Sequence, residues 1–209
     1  MIIAIDGPAG VGKGTLAKRL AAHFKLRHLD TGALYRAVGR DVLAAGADPT
    51  DANTALAAAR LLDATTLADP RLRTEQVGAA ASVVAAMPPV RAALLQFQKD
   101  FAKAPPGAVL DGRDIGTVVC PDADVKLFVT ASAEVRAERR WRELQAKGIK
   151  TPLDQILAEM KDRDERDSKR ATAPLLAAAD AVILDTSNLD VEQAFQAALK
   201  AVNDRLPKA

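Results

Sequence analysis

The sequence predicts one α/β domain built on a mainly parallel sheet of about five strands. Short apolar runs alternate with helical patterns along most of its 209 residues. The first run, 1–5, leads into a glycine-rich turn and then a helix with Leu16, Leu20 and Phe24 at spacings of four. Apolar residues make up 49% of the chain but aromatic residues only 3%, so we expect a core of alanine, valine, leucine and isoleucine.

The turn after the first strand has the pattern of a phosphate-binding loop. Its residues are Gly7, Pro8, Ala9, Gly10, Val11, Gly12, Lys13, Gly14 and Thr15. Glycines let consecutive N–H groups face inward as an anion cradle, and the following helix adds the positive end of its dipole. Lys13 would follow a phosphate during transfer, from a side chain that we expect to face a solvated loop. The strict pattern has serine or threonine at position 14, and its hydroxyl contacts magnesium. Here Gly14 occupies that position and the hydroxyl comes one residue later, at Thr15, so the residue expected to contact the metal is displaced.

Composition excludes several classes of protein. A net charge of +2 and scarce aromatic residues argue against a nucleic-acid-binding protein. The single cysteine, Cys120, permits no intramolecular disulfide, and we expect a packed thiol. With only His23 and His28 as further soft ligands, a protein-only zinc site is not expected. No apolar run approaches the ~18 residues of a membrane span, and Met1 opens directly into a strand, so we expect a cytoplasmic protein.

Polar residues follow the next predicted strand, 27–29. Asp30 and Thr31 come directly after it, and a helix follows in which we expect Thr31 to be the N-cap. Two interpretations remain open. These residues could merely cap the helix, or Thr31, Tyr35 and Arg36 could face the phosphate loop, because open α/β sheets bind ligands at the carboxyl ends of their strands.

A second charged strand end follows the predicted strand 108–110. Asp111, Arg113 and Asp114 lie there beside two glycines. An acidic residue at such a strand end is typical of magnesium-water binding in phosphate-loop proteins. The functional interpretation is favoured over that of a solvated loop.

The region 46–104 interrupts the strand–helix alternation. It predicts helices at 51–62, 73–86 and 90–101, an irregular segment at 65–72, and a stop at Pro88 and Pro89. We therefore expect an inserted subdomain.

Arginine-rich helices follow the predicted strand 125–129. Arg136, Arg139 and Arg140 share one face of the first helix, and a second helix, 153–167, places Asp167 between Arg163 and Arg170. The acidic residues in the same segment also permit another interpretation, a pair of surface helices joined by salt bridges. The preference for arginine favours a lid over the phosphate loop at 136–170. A last strand at 181–184, a helix at 191–206 and a frayed end at 207–209 complete the prediction.

Taken in order, the motifs GPAGVGKGT, LDTGALYR, LRTEQV, VLDGRDIGTVV and RDERDSKRATAPL resemble those of the bacterial cytidylate kinases. The resemblance covers nearly the whole chain. It implies a monomeric P-loop kinase with strand order 2-3-1-4-5, a core at 1–45, 105–135 and 171–209, a monophosphate-binding insert at about 46–104 and a lid at about 136–170. The implied reaction transfers the γ-phosphoryl group of ATP to CMP or dCMP.

The resemblance also implies roles for individual residues. ATP and Mg²⁺ would occupy 7–15, with the metal near Thr15 and, through water, Asp111, although phosphates would hold it in the main. The monophosphate would contact Arg36, Arg73 and Arg113. Near the sugar would lie Thr31, Asp167 and Arg163, and Tyr35 would be a further substrate-binding residue. The cytosine edge would meet Asp114, Arg91, Ser82 and Arg170. Catalytic cations would be Lys13, Arg139, Arg140 and Arg163.

Two departures from the family pattern stand out: Thr31 replaces a serine, and the 62–73 segment is shorter than in enterobacterial members, which carry a small antiparallel sheet there. Other readings remain open. The runner-up is another small P-loop kinase, for a different monophosphate or metabolite. A GTPase is disfavoured because no Asn-Lys-x-Asp motif is present. A nucleotide-dependent nucleic-acid-binding module is disfavoured by charge and composition.

Overall fold

The computed structural model describes residues 1–206 and contains a five-stranded parallel sheet. The strands are β1 (Ile2–Asp6), β2 (Arg27–Asp30), β3 (Ala108–Gly112), β4 (Val125–Thr130) and β5 (Val182–Asp185). Their order in the sheet is β2-β3-β1-β4-β5, so the expected fold and the order 2-3-1-4-5 are confirmed.

Eight α-helices surround the sheet within residues 1–206. They are α1 (Lys13–Phe24), α2 (Thr31–Ala44), α3 (Ala52–Arg60), α4 (Glu75–Val84), α5 (Pro88–Lys103), α6 (Ala133–Ala146), α7 (Leu153–Ser168) and α8 (Val191–Asn203). Alternate residues of β1 point to opposite faces. Ile3 and Ile5 pack with α1 and α8, whereas Ala4 packs with α2 to α5. The sheet is therefore covered on both sides.

The parallel register brings three aspartates to one edge of the sheet. Asp30 lies opposite Asp111 across β2 and β3, and Asp111 lies opposite Ile5, the residue before Asp6. This edge is formed by the carboxyl ends of the strands, where open α/β sheets bind their ligands.

The N-cap of α2 is Asp30, so the expectation of Thr31 was wrong. The Asp30 side chain accepts a hydrogen bond from the Ala33 N–H at 3.2 Å, and its backbone is extended. Thr31 is instead the first residue of the helix, where its hydroxyl donates to the Asp111 carbonyl at 2.9 Å. The neighbouring strand competes successfully for this hydroxyl.

The inserted region differs from its prediction at two boundaries. Arg73 ends a 3₁₀ turn, Pro70–Arg73, and does not open α4, because Thr74 caps that helix through the Val77 N–H. Pro88 and Pro89 begin α5 and do not merely end α4, since the first turn of a helix needs no N–H donor there. The shortened segment holds a second 3₁₀ turn, Ala64–Ala68, and no strand within 62–73.

The two arginine-rich helices α6 and α7 form an antiparallel pair, called here the α6–α7 hairpin (133–168), with a small core of Ala137, Leu144 and Ile156. Arg170 follows the end of α7, so it does not continue that helical face. The expected fraying at 207–209 lies outside the described residues. Within 1–206, no helix by itself has the length and apolarity of a membrane span, although α4 and α5, bent by 99°, meet that criterion jointly.

Candidate active site

A cleft of about 1510 Å³ opens at the carboxyl edge of the sheet, between the insert and the α6–α7 hairpin. It brings together all the predicted site residues except Gly7 and Pro8. Those that line it are Ala9, Gly10, Val11, Gly12, Lys13, Gly14, Thr15, Thr31, Tyr35, Arg36, Arg73, Ser82, Arg91, Asp111, Arg113, Asp114, Arg139, Arg140, Arg163, Asp167 and Arg170.

The phosphate loop occupies one end of the cleft. Gly12 is the N-cap of α1 with φ of +89°, a conformation that residues with a side chain adopt rarely. A Cβ added to Gly7 would lie 1.9 Å from the Val129 carbonyl oxygen, so Gly7 lets the loop leave β1 against β4. Gly7 is thus needed for packing, because a side chain at this position would collide with the backbone of β4.

Lys13 is buried, with 7% of its surface exposed, so the expectation of a solvated side chain was wrong. Its Nζ donates to the Pro8 carbonyl at 2.6 Å, which folds the side chain back over the loop. Burial, followed by the positive charge of Arg113, lowers the pKa of Lys13 well below its ordinary value, while Asp111 and Asp6 oppose the shift. An anion in the loop would favour the charged form and draw Nζ away from the carbonyl.

Asp6 fixes the floor between the phosphate loop and the Asp114 segment. Its two carboxylate oxygens accept from the Ile115 and Gly116 N–H groups, each at 2.8 Å. Burial raises the pKa of Asp6 to about 6 despite those two bonds. Sequence reasoning missed this role, although the aspartate directly before the loop was a visible signal.

His28 is a second residue that sequence reasoning missed. Its Nε2 lies 2.8 Å from Oδ2 of Asp111, on the adjacent strand. Both side chains are largely buried, with 17% and 8% exposed. Asp111, expected near the magnesium water, is therefore oriented by an imidazole as well as by its strand, and only the strand pairing reveals that contact.

Two cation–carboxylate pairs hold the arginines expected at the monophosphate. Arg36 donates to Asp30 at 2.6 Å, so one carboxylate both caps α2 and orients the guanidinium. Arg113 donates through Nε to Asp167 at 2.8 Å, which joins the β3 loop to the end of α7. Arg73, the third of the set, is exposed at the rim.

A buried ion pair lies at the far end of the cleft. Arg91 donates to the Asp114 carboxylate, and both side chains are at least 90% buried, with 9% and 7% exposed. Arg91 also donates to the Ala85 carbonyl at 3.2 Å and lies 5.5 Å from the centre of the Tyr35 ring. This carboxylate and this guanidinium therefore present fixed acceptor and donor groups to the cleft.

Several buried polar atoms of residues that line the cleft lack a partner within residues 1–206. They are Ser82 Oγ, Arg36 Nε, Arg163 Nε and Arg170 Nε. Burial, and then the charge of Arg113, lowers the pKa of Arg163 to about 10. Buried polar groups are normally hydrogen-bonded, so these atoms indicate a polar, anionic ligand.

The hairpin arginines separate into different environments. Arg139 donates to the Thr186 carbonyl at 2.6 Å and to that of Leu189 at 3.3 Å, on the loop before α8. Arg140 pairs with Glu143 at 2.9 Å and approaches Glu75 of α4, across the cleft, at 3.9 Å. Both remain on the cleft wall, yet neither side chain is free of protein partners.

The described residues contain no cluster of three or more histidine, cysteine, aspartate or glutamate side chains able to hold a metal. Thr15, near the start of α1, is exposed and lines the cleft, and Asp111, at the end of β3, lines it as well. Such oxygen donors suit Mg²⁺ held mainly by phosphates. Cys120 is 3% exposed, and burial raises the pKa of its thiol to about 11, so it is a packed thiol, as expected.

Two solved structures resemble this fold. An uncharacterized protein from Eubacterium ventriosum aligns with a TM-score of 0.56 at 17% identity over 98% of each chain. A gluconokinase from Sinorhizobium meliloti aligns with a TM-score of 0.53 at 14% identity over 97% of this chain and 91% of that one. At such identities the likeness concerns the fold alone.

The sequence comparisons reach further. The family profile described as Cytidylate kinase matches residues 3–204. A cytidylate kinase from Rhodospirillum rubrum is 63% identical over 203 residues, 95% of each chain. One from Rhodopseudomonas palustris is 61% identical over 202 residues, covering 97% of this chain and 95% of the relative. With this match over almost its full length, the chain belongs to the cytidylate kinase family.

Proposed function

We propose that this chain transfers the γ-phosphoryl group of ATP to CMP or dCMP, giving ADP and CDP or dCDP. The observation that carries the proposal is the buried Arg91–Asp114 pair, placed in the same cleft as a phosphate loop. A fixed carboxylate beside a fixed guanidinium matches one edge of cytosine. The arginines between this pair and the loop match the phosphates.

The ATP phosphates would bind the N–H groups of the loop and the start of α1. Lys13 would exchange the Pro8 carbonyl for a phosphate oxygen and move with the transferred group. Phosphoryl transfer needs little covalent help from protein, because its rate depends on alignment and on cations around a charge-dense transition state. Arg163, half-buried and with a buried Nε that lacks a partner among the described residues, is the cation best placed to respond to that charge.

Mg²⁺ would neutralise charge on the ATP phosphates when bound. Thr15 and, through water, Asp111 are the residues that would hold it on the protein side. His28 keeps Asp111 oriented through one carboxylate oxygen and leaves the other available.

The acceptor nucleotide would lie between α2, the insert and the end of α7. Arg36, Arg73 and Arg113 would contact its phosphate. Thr31, Tyr35 and Asp167 would line the sugar. Their neighbours in the cleft support this placement, since Asp30 and Asp167 already hold two of these arginines toward it.

Base recognition would rest on the far end of the cleft. Cytosine presents an amino donor beside a ring-nitrogen acceptor, whereas uracil presents a carbonyl beside an N–H. Asp114 would accept from the amino group and repel the carbonyl, and Arg91 and Arg170 would donate to the ring nitrogen and the neighbouring carbonyl. The Ser82 hydroxyl, which has no partner within residues 1–206, is a further group for the base.

The test is a coupled assay of ADP production with MgATP and CMP, dCMP, UMP or AMP. We expect kcat/KM for CMP to exceed that for UMP by on the order of 10² or more, because the wrong base leaves buried groups unpaired. Asp114→Ala should narrow this gap mainly by losing CMP activity, with ATP binding kept. Equal use of UMP or AMP, or an unchanged preference in the variant, contradicts the proposal and favours another small kinase.

We further propose that the protein acts in the cytoplasm as a monomer, without nucleic acid or membrane. The near-balanced charge supports the absence of a nucleic-acid partner. Size-exclusion chromatography with light scattering tests the monomer, and a concentration-dependent dimer contradicts it.

A further inference from the structure

One arginine of the hairpin is buried against the phosphate loop and does not face the cleft. Arg136, in the first turn of α6, has a side chain that is only 4% exposed. Its Nε donates to the Ala131 carbonyl at 3.0 Å, and its Nη1 donates to the Ala9 carbonyl at 3.1 Å. One side chain thus links the end of β4 to the tip of the phosphate loop.

The same guanidinium forms a two-point ion pair with α7. Nη1 lies 3.1 Å from Oδ1 of Asp164, and Nη2 lies 2.5 Å from Oδ2. A guanidinium has five N–H donors, so most of those on Arg136 are already taken by protein oxygens. Its charge is matched by Asp164. Arg136 is therefore already neutralised and is not available to bind a phosphate. Its position on the same helical face as Arg139 and Arg140 had predicted a shared role in the lid.

The tip of the loop packs closely against both helices beside this contact. A Cβ added to Gly10 would lie 3.3 Å from the Met160 methyl carbon and 3.4 Å from Cβ of Arg136. Residues 9–10 are thus seated between α6 and α7. The helices meet the loop at the place where Arg136 holds its carbonyl.

We propose that Arg136 and Asp164 are a positioning pair that sets the phosphate loop for ATP and ties it to the base of the α6–α7 hairpin. The C=O and N–H of a trans peptide point to opposite sides. By holding the Ala9 carbonyl, Arg136 turns the Gly10 N–H away from itself, toward the opposite side of the loop. The inference rests on the proposed function, since it assigns that N–H to the ATP phosphates.

Arg136→Lys is the direct test, because an ammonium keeps the charge but cannot reproduce the planar fork. Direct titration of MgATP should show binding weakened on the order of tenfold. Steady-state kcat should fall by roughly 10- to 100-fold, as for a displaced reacting group, while KM for CMP stays within about twofold. If Arg136 had a purely structural role, the substitution would lower the melting temperature but would not weaken ATP binding more than it changes KM for CMP.

Asp164→Asn and Asp164→Glu provide a second, independent arm. We expect the Asn variant to reproduce the Arg136→Lys effect on ATP binding and the Glu variant to restore much of it. Adding Asp164→Asn to Arg136→Lys should change little, since interacting residues are not additive. The matched control is Glu165→Gln, the next position of α7, whose carboxylate pairs with exposed Lys169 at 2.5 Å; it should leave ATP binding unchanged.

Unchanged ATP affinity in folded Arg136→Lys, or equal weakening of ATP and CMP, would overturn the inference. If Arg136→Lys does not fold, the Asp164→Asn variant decides the question, and an ATP affinity equal to that of the wild type would overturn the inference. Because ATP binding is read without an acceptor, the inference can succeed or fail even if the wild type does not phosphorylate CMP. A failed acceptor assay would instead contradict the proposed function.

Discussion

Arg113 and Asp167 are 54 positions apart in the chain, yet Nε of the arginine lies 2.8 Å from the carboxylate. The pair connects the loop after β3 to the end of α7, with 19% and 8% of the two side chains exposed. Burial alone would raise the pKa of Asp167, but Arg113, followed by Arg163 and Arg170, outweighs it and holds that pKa below its usual value. The carboxylate thus stays charged and keeps Arg113 aimed into the cleft.

Asp167→Asn should raise KM for CMP by roughly tenfold, because a charge-assisted hydrogen bond worth about 1.5–3 kcal/mol is weakened and Arg113 is less well held. KM for ATP should change by less than about twofold. Steady-state kinetics with each substrate varied in turn measures both. Asp162→Asn, at an exposed position of the same helix, is the control, and an equal effect there would contradict the assignment.

Loss of the Lys13 charge should lower kcat by roughly 10²-fold or more, comparable to removing one strong electrostatic donor. Because Lys13 is buried, Lys13→Ala also removes packing, so Lys13→Met is the better matched variant. Circular dichroism and thermal melting should show that Lys13→Met remains folded. Near-normal turnover in that folded variant would rule out the phosphate-loop role.

The tip of the α6–α7 hairpin should close over bound nucleotides and exclude water, as expected of a lid. Hydrogen exchange at 144–153 should slow when MgATP and an unreactive acceptor, or a bisubstrate mimic, are added. The base of the hairpin should change less, because Arg136 and Asp164 already hold it against the loop. Protection confined to other segments would mean that the hairpin is an ordinary surface feature.

Asp6 should make the protein lose stability as pH rises from about 4 to about 6. Its pKa is raised from 3.8 to about 6 in the folded state, so the folded protein binds the proton more tightly than the unfolded chain across this range. At about 1.4 kcal/mol per pKa unit, the loss is on the order of 3 kcal/mol.

Urea unfolding of wild type and Asp6→Asn at several pH values measures this effect. The amide also forfeits one acceptor for the Ile115 and Gly116 N–H groups, but that loss is the same at every pH. The diagnostic result is therefore the difference between the two proteins in how steeply the free energy of unfolding changes with pH. Parallel stability curves for the two proteins would show that Asp6 does not titrate as inferred.

Local sequence was sufficient wherever structure depends on neighbours in the chain. The succession of strand, glycine-rich turn and helix was sufficient to predict the phosphate loop. The order of the motifs predicted the family, which the family profile confirms, and with it the strand order, which the fold confirms. The errors at Thr31, Arg73 and Pro88 are all at helix ends. A cap is selected by competition between nearby acceptors and by contacts from other elements, which periodicity does not report.

By itself the sequence determined the chemistry on offer: a loop that can cradle phosphate, arginines in excess, and carboxylates at strand ends. Only the tertiary structure decided which cation meets which carboxylate. It paired Arg113 with Asp167 and Arg91 with Asp114. It also placed Arg136 in a hydrogen bond with the Ala9 carbonyl and an ion pair with Asp164. The physical reason is that burial and partner geometry set the state of a charge, and both arise from parts of the chain that are distant in sequence.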